Sequence, residues 1–218
     1  MPYNPDKHHR RSIRLKGHDY SQEGIYFLTL CVKNRTHLFG TISNGKMNLN
    51  PFGEIAKEEW IKSMEIRGNI TLGEFRIMPN HMHGIIQINY SKGENNHTGK
   101  FRSPSQTIGA IIRGYKGVTT KRIKILIRKL RTGESQFAPF ESPIPPGESQ
   151  FRSGELQIGR GELQFTPTNL IKSIDLSKSI WQRDYYDIII RDRRAYDTIS
   201  NYIINNPENW TEDNFHKT

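Results

Sequence analysis

Residues 78–89 read MPNHMHGIIQIN, and the apolar run after Pro79 predicts a β-strand over His81–Asn89. A strand is also predicted just upstream, over Ile70–Met78, and Pro79-Asn80 interrupts it, so that His81–Asn89 is either the neighbouring strand or an extension of the same one. Side chains two positions apart on a strand point to the same face of the sheet. His81 and His83 can therefore reach one metal ion, while Met82 packs into the opposite face. A His-x-His pair alone is usually not a metal site, so the rest of the chain must decide its role.

The residues before this pair predict a strand, a hairpin and a helix. Gly24–Lys33, with the sequence GIYFLTLCVK, is rich in β-branched and aromatic residues and predicts a central strand. Asn44-Gly45, between short apolar runs, predicts a tight hairpin. Apolar residues recur at helical spacing in Pro51–Ser63, with charged residues on the other side, which predicts an amphipathic helix packed on a sheet.

The residues after the pair predict two more helices and another strand. Thr107–Leu130 has the spacing of a long basic helix, interrupted by three glycines, and Ile180–Arg191 has the composition of a strand. Arg193–Asn206 predicts a helix that Pro207 ends. The resulting order of elements predicts an α+β sandwich, with an antiparallel sheet and helices on one face.

Residues 132–168 differ in composition from the rest of the chain. GESQF occurs at 133 and 147 and GELQ at 154 and 161, and the segment contains five prolines. A seven-residue period can indicate a coiled coil, but a glycine at the start of each unit and the prolines argue against a helix. We interpret the segment as a low-complexity linker without a catalytic role. One catalytic domain is then predicted from residues 24–131 and 169–210, preceded by a basic arm over residues 1–23.

The charge of the chain favours a polyanionic partner. The formal net charge is +10 at pH 7, which attracts nucleic acid or an anionic membrane surface. No apolar run approaches the length of a membrane span, and the first residues lack the apolar core of a signal peptide. Cys31 is the only cysteine of the sequence, and its neighbours are apolar. It is therefore predicted to be a buried strand residue in a protein of a reducing compartment. We therefore expect a cytoplasmic, nucleoid-associated protein that binds DNA and does not enter a membrane.

Two groups of basic residues are the predicted phosphate contacts, although a solvated terminus or a charged helix face would have the same composition. Tyr20 or Tyr115 could stack on exposed bases, with core packing as the alternative for Tyr115. The first group is Arg10, Arg11, Arg14 and Lys16 in the arm, and the second is Arg113, Lys116, Lys121, Arg122 and Lys124 in the basic helix.

A phenol and a carboxamide share one face of the last predicted helix. Tyr202 and Asn206 are four residues apart, so both side chains can face the same ligand. The alternatives are a tyrosine that packs the helix on the sheet and an asparagine that caps its end. Tyr185 and Tyr186 compete with Tyr202 as a nucleophile, but neither has an amide partner at helical spacing.

Three motifs and the basic arm carry a family resemblance. The segments are MPNHMHG at 78–84, WQRDYYDIIIR at 181–191, YIINNP at 202–207 and RRSIRLKG at 10–17. Together they resemble the REP-associated tyrosine transposases, which belong to the single-tyrosine HUH transposases, over nearly the whole chain except residues 132–168. One departure is Ile188, where the family often carries a histidine.

The resemblance implies a ferredoxin-like two-layer sandwich with a C-terminal helix that carries the nucleophile Tyr202. It also implies that His81 and His83 bind a divalent metal, with Asn206 as a polar third ligand. Two imidazoles and one amide oxygen leave coordination positions free, which suits six-coordinate Mg²⁺ or Mn²⁺ better than a closed zinc site.

The expected function is a metal-dependent endonuclease and strand transferase that acts on single-stranded DNA near hairpins through a 5′-phosphotyrosine, as a monomer or homodimer. A metal ion can stabilise the charge that develops on the attacked phosphate. Two alternatives remain open: a domesticated copy that binds hairpin DNA without cutting it, and a metal hydrolase of small substrates. Steep loss of substrate affinity with added salt would count against the hydrolase.

Overall fold

The computed structural model describes residues 18, 20, 22–90, 107–132 and 168–216. The predicted arm contacts Arg10, Arg11, Arg14 and Lys16 lie outside these residues. So does the repeat segment, except for its first and last residues, Thr132 and Thr168, which end and begin helices.

Six strands and four helices make up the described chain. The strands are β1 (Gly24–Cys31), β2 (Gly40–Ser43), β3 (Lys46–Leu49), β4 (Ile70–Ile77), β5 (His81–Ile88) and β6 (Tyr186–Ile190). The helices are α1 (Pro51–Ile66), α2 (Ile108–Thr132), α3 (Thr168–Ser173) and α4 (Arg193–Asn205), and short 3₁₀ turns occupy Lys33–Arg35 and Trp210–Glu212.

The main sheet has four strands in the order β4-β5-β1-β6, and every neighbouring pair is antiparallel. When the β2–β3 hairpin and the short helix α3 are set aside, the chain order is β-α-β-β-α-β followed by α4, which is the arrangement of a ferredoxin-like sandwich. The predicted α+β fold is therefore confirmed. The hairpin turn at Asn44-Gly45 is also confirmed, with φ values of 51° and 70°.

The helices lie on both faces of this sheet. On one face, Leu28 of β1 and Met82 of β5 pack into a large core with residues of α1 and α2, including Trp60 and Tyr115. On the opposite face, β1, β5 and β6 form a smaller core with Ile203 of α4. The prediction of helices on one face thus holds for α1 and α2, whereas the C-terminal helix covers the other face.

The last strand is shorter than predicted. Instead of Ile180–Arg191, β6 covers only Tyr186–Ile190, and Trp181 forms a single isolated bridge with Val32. The ammonium of Lys116 accounts for the difference, because it donates to the carbonyls of Gln182 and Asp184 at 2.9 Å each. The backbone before β6 is therefore bound to α2 as well as to β1, where the Gln182 amide donates to the Cys31 carbonyl at 2.8 Å.

Capping defines where α4 begins. The Asp192 carboxylate accepts a hydrogen bond from the Ala195 amide at 2.8 Å, and the helix ends at Asn205 beside Pro207. Within the described ranges, no helix is long and apolar enough to cross a membrane.

Candidate active site

The two histidines lie side by side on the face of the sheet that α4 covers. Their Nε2 atoms are 3.0 Å apart, and both side chains are buried, at 0% and 1% exposure. Met82 between them belongs to the core on the other face. The prediction that His81 and His83 share one face is confirmed.

Each imidazole is oriented through its other nitrogen. His81 Nδ1 lies 2.9 Å from Asn80 Oδ1, which can only accept, so His81 donates there and its Nε2 carries a lone pair. His83 Nδ1 lies 2.8 Å from Thr29 Oγ1, a hydroxyl that can donate or accept. Thr29 is placed opposite His83 by the pairing of β1 with β5. Such partners orient the rings that ligate metals.

Burial lowers the pKa of both histidines. The pKa of His83 falls to about 4, with the Asp213 charge acting in the opposite direction. The pKa of His81 falls well below its usual value, first through burial and then through the charges of His83 and Arg35. Both rings are therefore neutral near pH 7, as a metal ligand must be.

Helix α4 brings the predicted tyrosine to this pair. The Tyr202 hydroxyl lies 3.2 Å from His83 Nε2, and its ring meets Phe27 edge-on. The side chain is 44% exposed, so the phenol also faces solvent. One chain thus places the phenol and both imidazoles together. By contrast, Tyr185 packs against the larger core and Tyr186 is 48% exposed on β6.

Asn206 is buried one turn further along, at the C-terminal cap of α4. Its amide nitrogen donates to Asp213 Oδ2 at 2.6 Å, and its buried oxygen Oδ1 has no hydrogen-bond partner among the residues that the structure describes. An orphaned carbonyl oxygen of this kind requires an explanation, and a ligand is one.

Asp213 completes the cluster and was not predicted. Its Oδ2 lies 3.5 Å from the Tyr202 hydroxyl, and ligand atoms of His81, His83 and Asp213 all lie within 4.8 Å of one another. Burial, followed by the charge of Asp213, raises the pKa of Tyr202 to about 12. Asp213 follows the 3₁₀ turn at Trp210–Glu212, beyond the helical repeat, so no spacing in the sequence links it to the histidines.

These residues fit a divalent cation. Two nitrogens bound in adjacent positions of an octahedral ion at about 2.1 Å lie about 3.0 Å apart, which is the separation of the two Nε2 atoms. A carboxylate and an orphaned amide oxygen beside two neutral imidazoles form a mixed nitrogen and oxygen set. The Thr29 hydroxyl can donate to His83 Nδ1 when that nitrogen carries the lone pair. It can instead accept from a protonated Nδ1 when Nε2 of His83 ligates an ion.

The C-terminal residues close over the histidines. The Phe215 ring packs against His81 with centroids 4.6 Å apart, and Trp210 stacks on the same imidazole at 5.8 Å. The Asn80 amide donates to the Phe215 carbonyl at 2.8 Å. This packing accounts for the burial of both imidazoles.

Not every predicted DNA contact is available for that role. Arg122 donates to Glu59 at 2.5 Å and to Glu58 at 2.8 Å, so its charge is engaged within the protein, contrary to the prediction. Lys116 holds backbone carbonyls, as described above. Arg113 and Lys121 are exposed and Lys124 is half-buried, on a helix that packs on the sheet face opposite the histidines.

The structure buries both tyrosines considered for base stacking, and it confirms core packing for Tyr115. Tyr20 and Tyr115 are both buried in the larger core, and the Tyr115 hydroxyl donates to the Ala56 carbonyl at 3.0 Å. Neither ring presents a face to a base. The sequence could not distinguish these positions, because a tyrosine at an apolar helix position has the same spacing in either role.

No protein-family model matches the chain. Among solved structures it is similar to a REP-associated tyrosine transposase bound to a REP hairpin, at 15% identity and a TM-score of 0.48, over 90% of this chain and 74% of that one. It is also similar to a putative transposase from Deinococcus radiodurans, at 13% identity and a TM-score of 0.40, over 88% of this chain and 97% of that one.

Another relative has a higher sequence identity to this chain and is matched over nearly its whole length. An uncharacterized protein of Haemophilus influenzae is 35% identical over 219 residues, which cover 97% of this chain and 95% of that protein. The chain belongs to the same family as this Haemophilus influenzae protein.

Proposed function

We propose that this protein is a metal-dependent endonuclease and strand transferase of single-stranded DNA that works through a 5′-phosphotyrosine at Tyr202. One observation carries the proposal: the Tyr202 hydroxyl lies 3.2 Å from Nε2 of a buried, neutral histidine pair. A phenol held beside a candidate metal site is the arrangement that nucleophilic attack on a phosphodiester needs. The motifs that resemble the REP-associated tyrosine transposases support the same reaction.

The reaction begins with attack of the Tyr202 oxygen on phosphorus. The new bond joins tyrosine to the 5′-phosphate, the bond from phosphorus to the 3′-oxygen breaks, and the 3′-oxygen leaves as a hydroxyl after it takes up a proton. A free phenol has a pKa of about 10 and is a poor nucleophile at neutral pH, and the pKa of Tyr202 is higher still, about 12. The phenol proton therefore needs an acceptor.

Asp213 is the proposed acceptor. Its Oδ2 lies 3.5 Å from the Tyr202 hydroxyl, and Asn206 holds that oxygen from the other side at 2.6 Å. Catalytic hydrogen bonds are often long before substrate binds. The buried amide of Asn206 thus orients the base, and the exposed part of Tyr202 leaves room for the phosphate.

His81 and His83, with Asp213 or the Asn206 oxygen, would hold the metal, and Mg²⁺ or Mn²⁺ suits this set. When bound, the ion supplies positive charge at a non-bridging phosphate oxygen and favours the ionised phenol. The phosphotyrosine keeps the energy of the broken bond, so a second 3′-hydroxyl can reclaim the phosphate without a nucleotide cofactor. Strand transfer near a hairpin is the proposed outcome.

The decisive experiment follows a covalent adduct between the full-length protein and labelled single-stranded DNA in Mn²⁺ or Mg²⁺. A denaturing gel should show the adduct, and mass spectrometry should place the 5′-phosphate on Tyr202. Tyr202→Phe should abolish it, whereas Tyr186→Phe, which alters an exposed tyrosine on β6, should retain it.

Three results would count against the proposal. An undiminished adduct in Tyr202→Phe would refute the assigned nucleophile. Metal-independent hairpin binding without cleavage of any DNA from a genomic pool would favour the domesticated binding protein. Turnover of small phosphoesters without salt-sensitive DNA binding would favour the hydrolase.

A further inference from the structure

A basic cleft of about 1080 Å³ opens beside the candidate active site. Its walls are the first half of α2, the 3₁₀ turn at Lys33–Arg35 and residues 181–185. Five of its lining side chains are basic and one is acidic: Lys33, Arg35, Arg113, Lys116 and Arg183 against Asp184. The cleft is thus an open channel with walls of one predominant charge, which concentrates anions.

One wall of the cleft is held in an uncommon backbone conformation. Asn34 and Arg35, two consecutive residues other than glycine, have φ values of 55° and 51°. Residues in this region persist only when the surrounding structure fixes them, and they cluster at functional sites. Here the Val32 amide donates to the Asn80 carbonyl and the Lys33 amide to the Ile180 carbonyl, both at 2.8 Å.

This turn places Arg35 between the cleft and the histidine pair. The guanidinium donates to the Asn214 carbonyl at 2.7 Å and lies 5.0 Å from the centroid of the Phe215 ring. That ring in turn packs against His81. Arg35 also lines the cleft, so this residue connects the cleft with the residues that cover the candidate active site.

The other wall is built around Lys116. Its ammonium donates to carbonyls of residues 182–184, which ties the backbone before β6 to α2 along the side of the cleft. Burial lowers the pKa of Lys116 to about 8, so the amine remains largely charged at pH 7. Trp181 also lines the cleft, and its indole is held against α2 because it donates to Thr119 Oγ1 at 2.8 Å.

We propose that this cleft binds the sugar–phosphate backbone of the DNA single strand that flanks the scissile phosphate, with Arg35 contacting the phosphate nearest the histidine pair. The inference rests on the proposed function and names a site for its substrate. A single strand carries one charge per nucleotide, and contacts of this kind set register and affinity rather than sequence. A positively charged groove that follows the backbone is the usual basis of such binding.

The test removes two exposed charges from the cleft without touching the candidate catalytic residues. Lys33→Gln with Arg183→Gln is compared with Arg128→Gln and Lys129→Gln, two exposed residues near the other end of α2 that remove the same charge. Binding of a fluorescent single strand is measured by anisotropy in EDTA over a range of salt. Thermal melts check that both double variants are folded.

The cleft variant should bind the single strand at least about tenfold more weakly than the unaltered protein does. The slope of log K against log salt should become shallower by about 1.4, because each of the two lost phosphate contacts accounts for about 0.7. The α2 control should stay within about twofold of the unaltered protein. Arg35→Gln should lower kcat/KM for adduct formation, as a second measure of the same strand path. Cleft variants that bind like the control would overturn the inference, as would an equal loss of affinity for duplex DNA.

The two proposals fail separately in this design. If Tyr202-dependent adducts form and the cleft variants bind normally, only the cleft assignment is wrong. If no DNA yields an adduct but the cleft variants lose affinity, the cleft inference stands and the proposed chemistry does not.

Discussion

The candidate site depends on a few side chains whose hydrogen bonds hold the reactive groups in place. The positions of His81, His83, Tyr202 and Asn206 follow from two periodicities, the alternation of a strand and the four-residue spacing of a helix. Asp213 joins them only because the chain turns back after α4, and its Oδ2 meets both Asn206 and Tyr202. It is the residue whose role can be tested with the smallest change.

Asp213→Asn removes the charge while keeping the shape. We expect Mn²⁺ to raise the melting temperature of the unaltered protein, since an ion at about 100 times its Kd stabilises the folded state by about 2.7 kcal/mol. The variant should lose most of this shift, and its rate of adduct formation should fall at least about 100-fold, as expected for a missing base. Differential scanning fluorimetry and the adduct assay measure the two effects.

Glu212→Gln is the matched control, because Glu212 is the exposed neighbour of the buried Asp213. It should behave like the unaltered protein in both assays. Equal metal-induced stabilisation of Asp213→Asn would remove Asp213 from the metal site. An unchanged rate of adduct formation would remove it as the base.

At the scale of elements, the sequence predicts most helices and strands because their apolar patterns are long and regular. Helix α2 begins and ends within two residues of its prediction, although three glycines lie in that range. Strand β6 was predicted too long, because residues 180–185 have strand composition but the carbonyls of Gln182 and Asp184 bind Lys116 of α2. Lys116 is 66 positions from Gln182 and 68 from Asp184, so these contacts leave no signal in the local sequence. Composition alone therefore could not exclude residues 180–185 from the strand.

The contact between α1 and β5 gives a prediction about stability. A Cβ added at Gly84 would lie 2.6 Å from Cζ2 of Trp60, whose ring is fully buried against the sheet. Gly84→Ala should therefore lower the free energy of unfolding by about 1–3 kcal/mol, the usual cost of overpacking a core. Urea denaturation followed by tryptophan fluorescence measures this change.

Gly117→Ala provides a control of opposite sign. Gly117 lies within α2, and nothing lies within 4 Å of a Cβ added there. Alanine at this exposed helical position should raise the free energy of unfolding by about 0.5–1 kcal/mol. A Gly84→Ala protein as stable as Gly117→Ala would show that Trp60 can move away from β5.

For the whole molecule, the sequence pattern predicts the sandwich, but only the family resemblance predicts that the last helix returns to the histidines, because local pattern does not show which face that helix covers. The helical spacing of its apolar residues gives α4 one apolar side, and both faces of the sheet are apolar. The sequence pattern of α4 is therefore compatible with packing on either face. The large core with α1 and α2 occupies one face, which leaves the face with the histidines for α4. The position of the candidate active site is thus a consequence of which face of the sheet α1 and α2 already cover.

The ends of the repeat segment lead to the last prediction. Arg131, near the end of α2, donates to the carbonyls of Ile171 and Ile174 at 2.6 and 2.7 Å, so the chain leaves and returns at neighbouring points on the molecule. A short connection between them costs little in loop-closure entropy. We expect replacement of residues 136–164 by six glycine and serine residues to leave the melting temperature within about 3 °C, since surface changes are usually worth less than about 0.5 kcal/mol.

Adduct formation by the shortened protein should stay within about threefold of the full chain, because the proposed nucleophile, base and metal ligands all lie outside the replaced residues. Arg131→Gln in the same shortened protein is a second variant for comparison. It removes the hydrogen bonds that hold the end of α2 to the chain at Ile171 and Ile174. It should lower the melting temperature more than replacement of the segment does. Loss of adduct formation in a shortened protein that melts normally would show instead that the repeats take part in binding DNA, and the interpretation of residues 132–168 as a linker would be wrong.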